Sequence, residues 1–95
     1  MSEITSTPVP SSEPLDLIKL CLDEQIFVKL RGSREMIGKL HAYDSHCNMV
    51  LSDAVETIYY VHDSQSGEIK SKTKKSEMVF VRGDSVILVT DAANV

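Results

Sequence analysis

Gly38-Lys39-Leu40-His41-Ala42-Tyr43-Asp44-Ser45-His46-Cys47-Asn48-Met49-Val50-Leu51 reads as two extended segments joined by a short polar connection. Asp44, Ser45 and Asn48 are turn formers, because their short side chains satisfy nearby backbone N–H groups. Gly38 interrupts the first segment, residues 36–43, and a glycine inside a strand marks a sharp bend or the close approach of another backbone. Strands that bend in this way suggest a barrel.

The pattern continues on both sides. Upstream, Ile26, Val28 and Leu30 alternate with Phe27, Lys29 and Arg31, and Arg31-Gly32-Ser33 supplies turn chemistry, so residues 25–43 read as a hairpin. Downstream, residues 49–61 form a β-prone stretch with β-branched residues and two tyrosines. Residues 63–76 hold Gly67 together with Lys70, Lys72, Lys74 and Lys75, and read as a solvated hairpin loop. Residues 78–81 and 86–90 complete five strands, separated by Arg82-Gly83-Asp84-Ser85. Ahead of them, Ser12-Glu13-Pro14 is a helix-start signal, since proline has no N–H to lose in the first turn. Leu15, Ile18 and Leu22 then fall on one face of a helix of about two turns ending near Leu22. Such a helix must lie on the sheet to be stable. Residues 1–13, rich in Ser, Thr and Pro, read as a disordered tail, which leaves a domain over residues 14–92.

Val86-Ile87-Leu88-Val89 is apolar on both faces. A solvent-facing edge strand does not tolerate this without inviting association, so the strand is either covered internally or paired with another chain. A chain of 95 residues has room for one small domain with a limited core, which favours pairing with another chain.

Composition narrows the function classes. With 42% hydrophobic and 25% charged residues the chain matches an ordinary globular mixture. Three Tyr, two Phe and no Trp argue against aromatic-cage recognition. The apolar run at residues 86–89 is far short of the roughly 20 residues that span a bilayer, so no membrane association is expected. Residues 1–10 lack a secretory pattern, which points to the cytosol or nucleus. Cys21 and Cys47 lie in separate segments, and His41, His46 and His62 do not complete a tetrahedral set, so neither structural zinc nor any other metal or cofactor is expected. Both thiols read as small apolar fillers.

Two segments taken together are more specific: Gly38-x-Leu40-x-x-Tyr43-Asp44-x-His46-x-Asn48-Met49-x-Leu51, and Val79-Phe80-Val81-Arg82-Gly83-Asp84-x-Val86. They resemble the Sm1 and Sm2 motifs of the Sm/Sm-like family, and the resemblance runs from Pro14 to about Asp91. It implies a mainly β fold, with a short N-terminal α-helix followed by a strongly bent five-stranded antiparallel small barrel that forms rings. Each subunit's fifth strand pairs with a neighbour's fourth, usually in a ring of seven, which accounts for the two-faced apolar strand. The implied partners are other Sm-like subunits, in a heteroheptamer or in homo-oligomeric rings of the isolated chain, and uridine-rich single-stranded RNA.

Carried over by motif, the implied RNA-binding residues are Asp44, His46, Asn48, Arg82 and Gly83. His46 takes the stacking position, Asn48 the base edge, Asp44 a supporting position, and Arg82-Gly83 the opposite wall. The chemistry suits the task. Imidazole and guanidinium are flat, and a carboxamide can meet the N3–H and a carbonyl of uracil at once. In this reading Asp44 fixes which way Asn48 points, and Gly83 leaves room for backbone to approach a base or phosphate. Rings of this family act in two settings: in the nucleus on the uridine-rich 3′ end of U6 small nuclear RNA during pre-mRNA splicing, and in the cytoplasm in mRNA decapping and decay.

Other readings of the same residues stand beside this one. Asp44 and Asn48 are also ordinary turn residues, and Arg82-Gly83-Asp84 can be a tight hairpin turn. An enzyme is disfavoured, because Asp44-Ser45-His46 on one short loop cannot arrange nucleophile, base and orienter as a triad. A small-barrel protein-interaction module without RNA binding, and a ring subunit with a purely scaffolding role, remain as alternatives. The net charge of −4 is unusual for a nucleic-acid binder, although a ring concentrates its few cations at a central hole.

Overall fold

The computed structural model describes residues 14–92, and the expected tail at residues 1–13 lies outside them. The chain runs through helix α1 (Pro14–Lys19), strands β1 (Gln25–Leu30), β2 (Arg34–Tyr43), β3 (Met49–Asp63) and β4 (Glu68–Val81), a single 3-10 turn (Gly83–Ser85), and strand β5 (Val86–Asp91). The strands form one antiparallel sheet in the order β4-β3-β2-β1-β5.

Alternation in β1 sends Ile26, Val28 and Leu30 into the core, where Met36 and Leu40 of β2, Met49, Leu51 and Ala54 of β3, and Val81 of β4 meet them. Ile26, Val28, Leu40, Met49 and Leu51 are completely buried. Each such side chain contributes about 1.5–3 kcal/mol through removal of apolar surface from water. The core is therefore aliphatic, with no buried polar or charged residue among the described residues.

The bend is built at Gly38. Ile37 pairs with Val55 and Lys39 with Ser52, so two residues of β3, Asp53 and Ala54, stand opposite Gly38 alone. This is a bulge, and Asp53 adopts a left-handed φ of 50° within it. A Cβ on Gly38 would lie 3.1 Å from Ala54 Cβ and 3.2 Å from Leu51 Cβ. The glycine is thus where the two strands press together as the sheet curls.

Two sequence expectations need correction. Helix α1 stops at Lys19, and residues 20–22 continue as tightened turns in which Cys21 N–H donates to Ile18 O at 2.9 Å and Leu22 N–H to Lys19 O at 3.3 Å. Ile18 is buried and Cys21 packs beside it, but Leu22 is 44% exposed; the side chain of Leu15 lies outside the described residues. The cause is tertiary. Asp23, at φ 66°, turns the chain so that its N–H donates to Leu40 O at 2.8 Å, while Leu40 N–H donates to Glu24 O at 3.0 Å. This tie to β2 redirects the backbone before a second helical turn can complete.

The larger correction concerns residues 63–76, which are not a loop. β3 and β4 form a long ribbon paired from Met49↔Val81 out to Asp63↔Glu68, and only residues 64–67 connect them. Gly67, at φ 73°, closes the turn with its N–H on Asp63 O at 2.8 Å. The outer ribbon has solvent on both faces, so its side chains carry no apolar alternation, and the ladder of backbone hydrogen bonds holds it instead.

β4 and β5 are the two edges of the sheet and do not pair with each other. Met78 and Phe80 on β4 and Ile87 and Leu88 on β5 are all at least half exposed. A groove of about 520 Å³, lined by Leu17, Cys21, Val86, Leu88 and Val89 among others, runs between α1 and β5. No helix among the described residues is long and apolar enough to cross a membrane.

Candidate nucleic-acid interface

The connection between β2 and β3 is organised by one carboxylate. Asp44 Oδ1 accepts hydrogen bonds from the backbone N–H groups of His46 at 2.8 Å and Asn48 at 3.1 Å, and Oδ2 accepts from Asn48 Nδ2 at 2.9 Å. The backbone adds Asp44 N–H to Asn48 O at 3.0 Å and Cys47 N–H to Asp44 O at 3.1 Å. Cys47 takes a left-handed φ of 63°, which lets so short a segment reverse. The donors around Asp44, first the Asn48 amide and then the His46 backbone, hold its carboxyl below the ordinary carboxylate range.

The second loop follows β4. Gly83 N–H donates to Asn48 Oδ1 at 2.7 Å, joining positions 35 residues apart. A Cβ on Gly83 would sit 1.9 Å from the carbonyl oxygen of His46, a separation no side chain can occupy. Glycine is required here because the backbone of the first loop fills the space. This changes the reason expected from the sequence, in which Gly83 made room for a ligand; the group it makes room for is the chain's own His46 carbonyl.

All five expected residues therefore belong to two loops in direct contact. Asn48 is half-buried and held at both ends of its amide, by Asp44 on nitrogen and Gly83 on oxygen. One Nδ2 hydrogen and one Oδ1 lone pair remain for a ligand. His46 and Arg82 are exposed, and Arg82 Nη2 lies 2.8 Å from Asp84 Oδ2 in an ion pair open to solvent. In the sequence Asp84 read as part of the motif and of a turn, not as a partner of Arg82; its place two residues beyond the arginine was the available signal. Among the described residues no group of three or more His, Cys, Asp or Glu side chains is gathered as metal ligands would be.

Residues 16–91 match the LSM domain model. The chain belongs to the Sm-like (LSM) family. It is 52% identical over 86 residues to LSM complex subunit lsm3 of Schizosaccharomyces pombe, covering 87% of this chain and 92% of that one. It is 57% identical over 81 residues to the probable U6 snRNA-associated Sm-like protein LSm3 of Dictyostelium discoideum, covering 82% and 84%. Among solved structures, the Pyrococcus abyssii Sm protein in complex with a uridine heptamer superimposes with a TM-score of 0.65 at 33% identity, over 85% of this chain and all of that one. A heptameric archaeal Sm protein superimposes with a TM-score of 0.60 at 30% identity, over 80% and 96%. The bent five-stranded sheet with its short N-terminal helix is the Sm fold.

Proposed function

We propose that this Sm-like chain is a non-catalytic RNA-binding subunit of a heteroheptameric ring that holds uridine-rich single-stranded RNA, one nucleotide at the pocket between its two loops. The observation that carries this reading is the fixed polarity of the Asn48 amide. With Nδ2 turned to Asp44 and Oδ1 to the Gly83 N–H, the free lone pair accepts the N3–H of uracil and the free Nδ2 hydrogen meets O4. Cytosine presents an acceptor at N3 and donors at N4, the reverse arrangement, and meets a mismatched amide. His46 and Arg82 supply flat groups on which the base stacks, an interaction worth about 1–3 kcal/mol per base.

Ring formation is supported by the two unpaired sheet edges with Met78, Phe80, Ile87 and Leu88 exposed along them. Pairing β5 of one subunit with β4 of the next satisfies both edges, and repetition around an axis closes the set. The domain extends over residues 14–92. The relative associated with U6 small nuclear RNA and the structure bound to a uridine heptamer support a nuclear role on the uridine-rich 3′ end of that RNA in splicing; a cytoplasmic ring acting in mRNA decapping and decay is the second setting of the same subunit.

Native mass spectrometry of the full chain, alone and with oligo(U) or oligo(C), tests the reading. A ring that takes up oligo(U) in preference to oligo(C) is expected. A monomer indifferent to oligo(U) identifies a protein-interaction module instead, and a ring whose RNA affinity survives His46→Ala and Arg82→Ala identifies a scaffold.

A further inference from the structure

The outer ribbon carries an arrangement that the base pocket does not use. The register sets Lys70, Lys72 and Lys74 opposite Tyr60, Ile58 and Glu56, and alternation along the strands puts all six on one face. The three lysines recur about every 7 Å. All are exposed, and among the described residues none is engaged in an ion pair. The one carboxylate among the six, Glu56, is taken by Arg34 at 3.3 Å. The other face of the same ribbon carries Val55, Thr57, Tyr59 and Val61 across from Lys75, Thr73, Ser71 and Ile69, so three of the ribbon's four lysines line up on one side. In a chain of net charge −4, three uncompensated cations in a row form a local anion-binding track. Tyr60, 41% exposed, presents a ring directly across from Lys70.

We propose that Lys70, Lys72, Lys74 and Tyr60 form a second RNA-contact track, which holds the phosphodiester backbone of a strand extending beyond the pocket and stacks one of its bases. Two observations favour RNA over an acidic peptide. The track lies on β4, the strand that leads directly into Arg82, so a single polymer can occupy both places. An exposed aromatic beside a row of cations is also the combination by which single strands are bound without sequence preference. The track reads no bases, so it accepts any sequence flanking the uridines. The proposal rests on the pocket reading in taking RNA as the ligand, and its test separates the two.

The full chain, in whatever assembly it forms, is titrated over a range of salt concentrations with a uridine heptamer and with the same heptamer carrying a long oligo(A) extension. The triple variant Lys70→Gln, Lys72→Gln, Lys74→Gln is expected to bind the heptamer as the unaltered chain does. It loses about 10-fold affinity for the extended RNA, and its log–log salt slope falls by about 2, as three lost phosphate contacts on a single strand require. The triple Lys→Arg variant retains binding, and Tyr60→Leu weakens only the extended RNA. If the triple Gln variant fails to fold by circular dichroism, Lys72→Gln alone must lower the slope by about 0.7. Unchanged affinity and slope for the extended RNA overturn the proposal, as does loss of polyglutamate binding with RNA binding intact, which assigns the track to an acidic protein. Failure to prefer oligo(U) over oligo(C) overturns the pocket reading instead, and leaves the comparison on oligo(A) to decide the track.

Discussion

Asn48 Oδ1 lies 2.7 Å from the backbone nitrogen of Gly83, and this hydrogen bond ties the β2–β3 loop to the loop preceding β5. It is made possible by the missing side chain at position 83, because the His46 carbonyl occupies the place of a Cβ. Gly83→Ala must therefore push the loops apart and break the bond. A loss of about 1–3 kcal/mol is expected in urea denaturation, the usual range for overpacking, with oligo(U) affinity falling at the same time. Unaltered stability and affinity would show that the loops part freely.

Asp44 is the other anchor of the same amide. Asp44→Ala removes the acceptor that holds Asn48 Nδ2 and leaves the amide anchored only by the Gly83 N–H on Oδ1, so the ratio of oligo(U) to oligo(C) affinity should fall while affinity for oligo(C) changes little. Competition titrations of the two homopolymers measure this, and an undiminished ratio counts against orientation by Asp44.

The same carboxylate sets a pH dependence. Its folded pKa lies below the ordinary 3.8, so its hydrogen bonds contribute stability that is fully present above that value and is lost as pH falls through the depressed folded value. In Asp44→Asn the extra acid sensitivity below the ordinary carboxylate range should disappear. Denaturation midpoints of both proteins, followed from neutral pH into acid, check it; parallel curves would contradict the assignment.

Arg82 is 71% exposed and its pair with Asp84 is open to solvent, so its removal should hardly affect stability, since such pairs are worth about 0–1 kcal/mol. Arg82→Ala should weaken RNA binding and flatten its salt dependence. Asp84→Ala releases the guanidinium and should raise RNA affinity severalfold at low salt. An Asp84→Ala protein that binds RNA less well than the parent would show that the ion pair positions the arginine rather than competing for it.

Substitution at the edges should separate folding from assembly. Leu88→Asp places a charge on an exposed position of β5, leaving the buried core intact. The chain should keep its circular dichroism spectrum but appear as a monomer in native mass spectrometry. By contrast, Gly38→Val, which drives a branched side chain against Ala54 and Leu51, should cost about 1–3 kcal/mol of folding stability.

Much of this arrangement was legible in the sequence wherever local chemistry and tertiary need agree. The alternation of Ile26, Val28 and Leu30 marks a half-buried strand, and Gly38 marks the bend because a side chain there would crowd Ala54 and Leu51. The turn at residues 31–33 and the connection at 44–48 are set by their own turn-forming residues. The outer part of β4 was hidden, because a ribbon wet on both faces has no apolar period to read. The end of α1 was hidden as well: the hydrogen bonds of Asp23 and Glu24 to Leu40 stop it, and these form only once β2 is in place. At the site, the motif residues indicated which groups to expect. The contact of Gly83 with the His46 carbonyl and the pairing of Arg82 with Asp84 depend on how two loops distant in sequence come to rest together.

The two bare rims of the sheet, β4 and β5, also bear on the fate of a solitary copy. A newly made chain carries unsatisfied strand borders with greasy side chains along them, a template for indiscriminate aggregation until a correct neighbour arrives. Its durability then depends on the concentration of its companions as much as on its own core, and surplus unpaired copies should be the first to precipitate or be degraded.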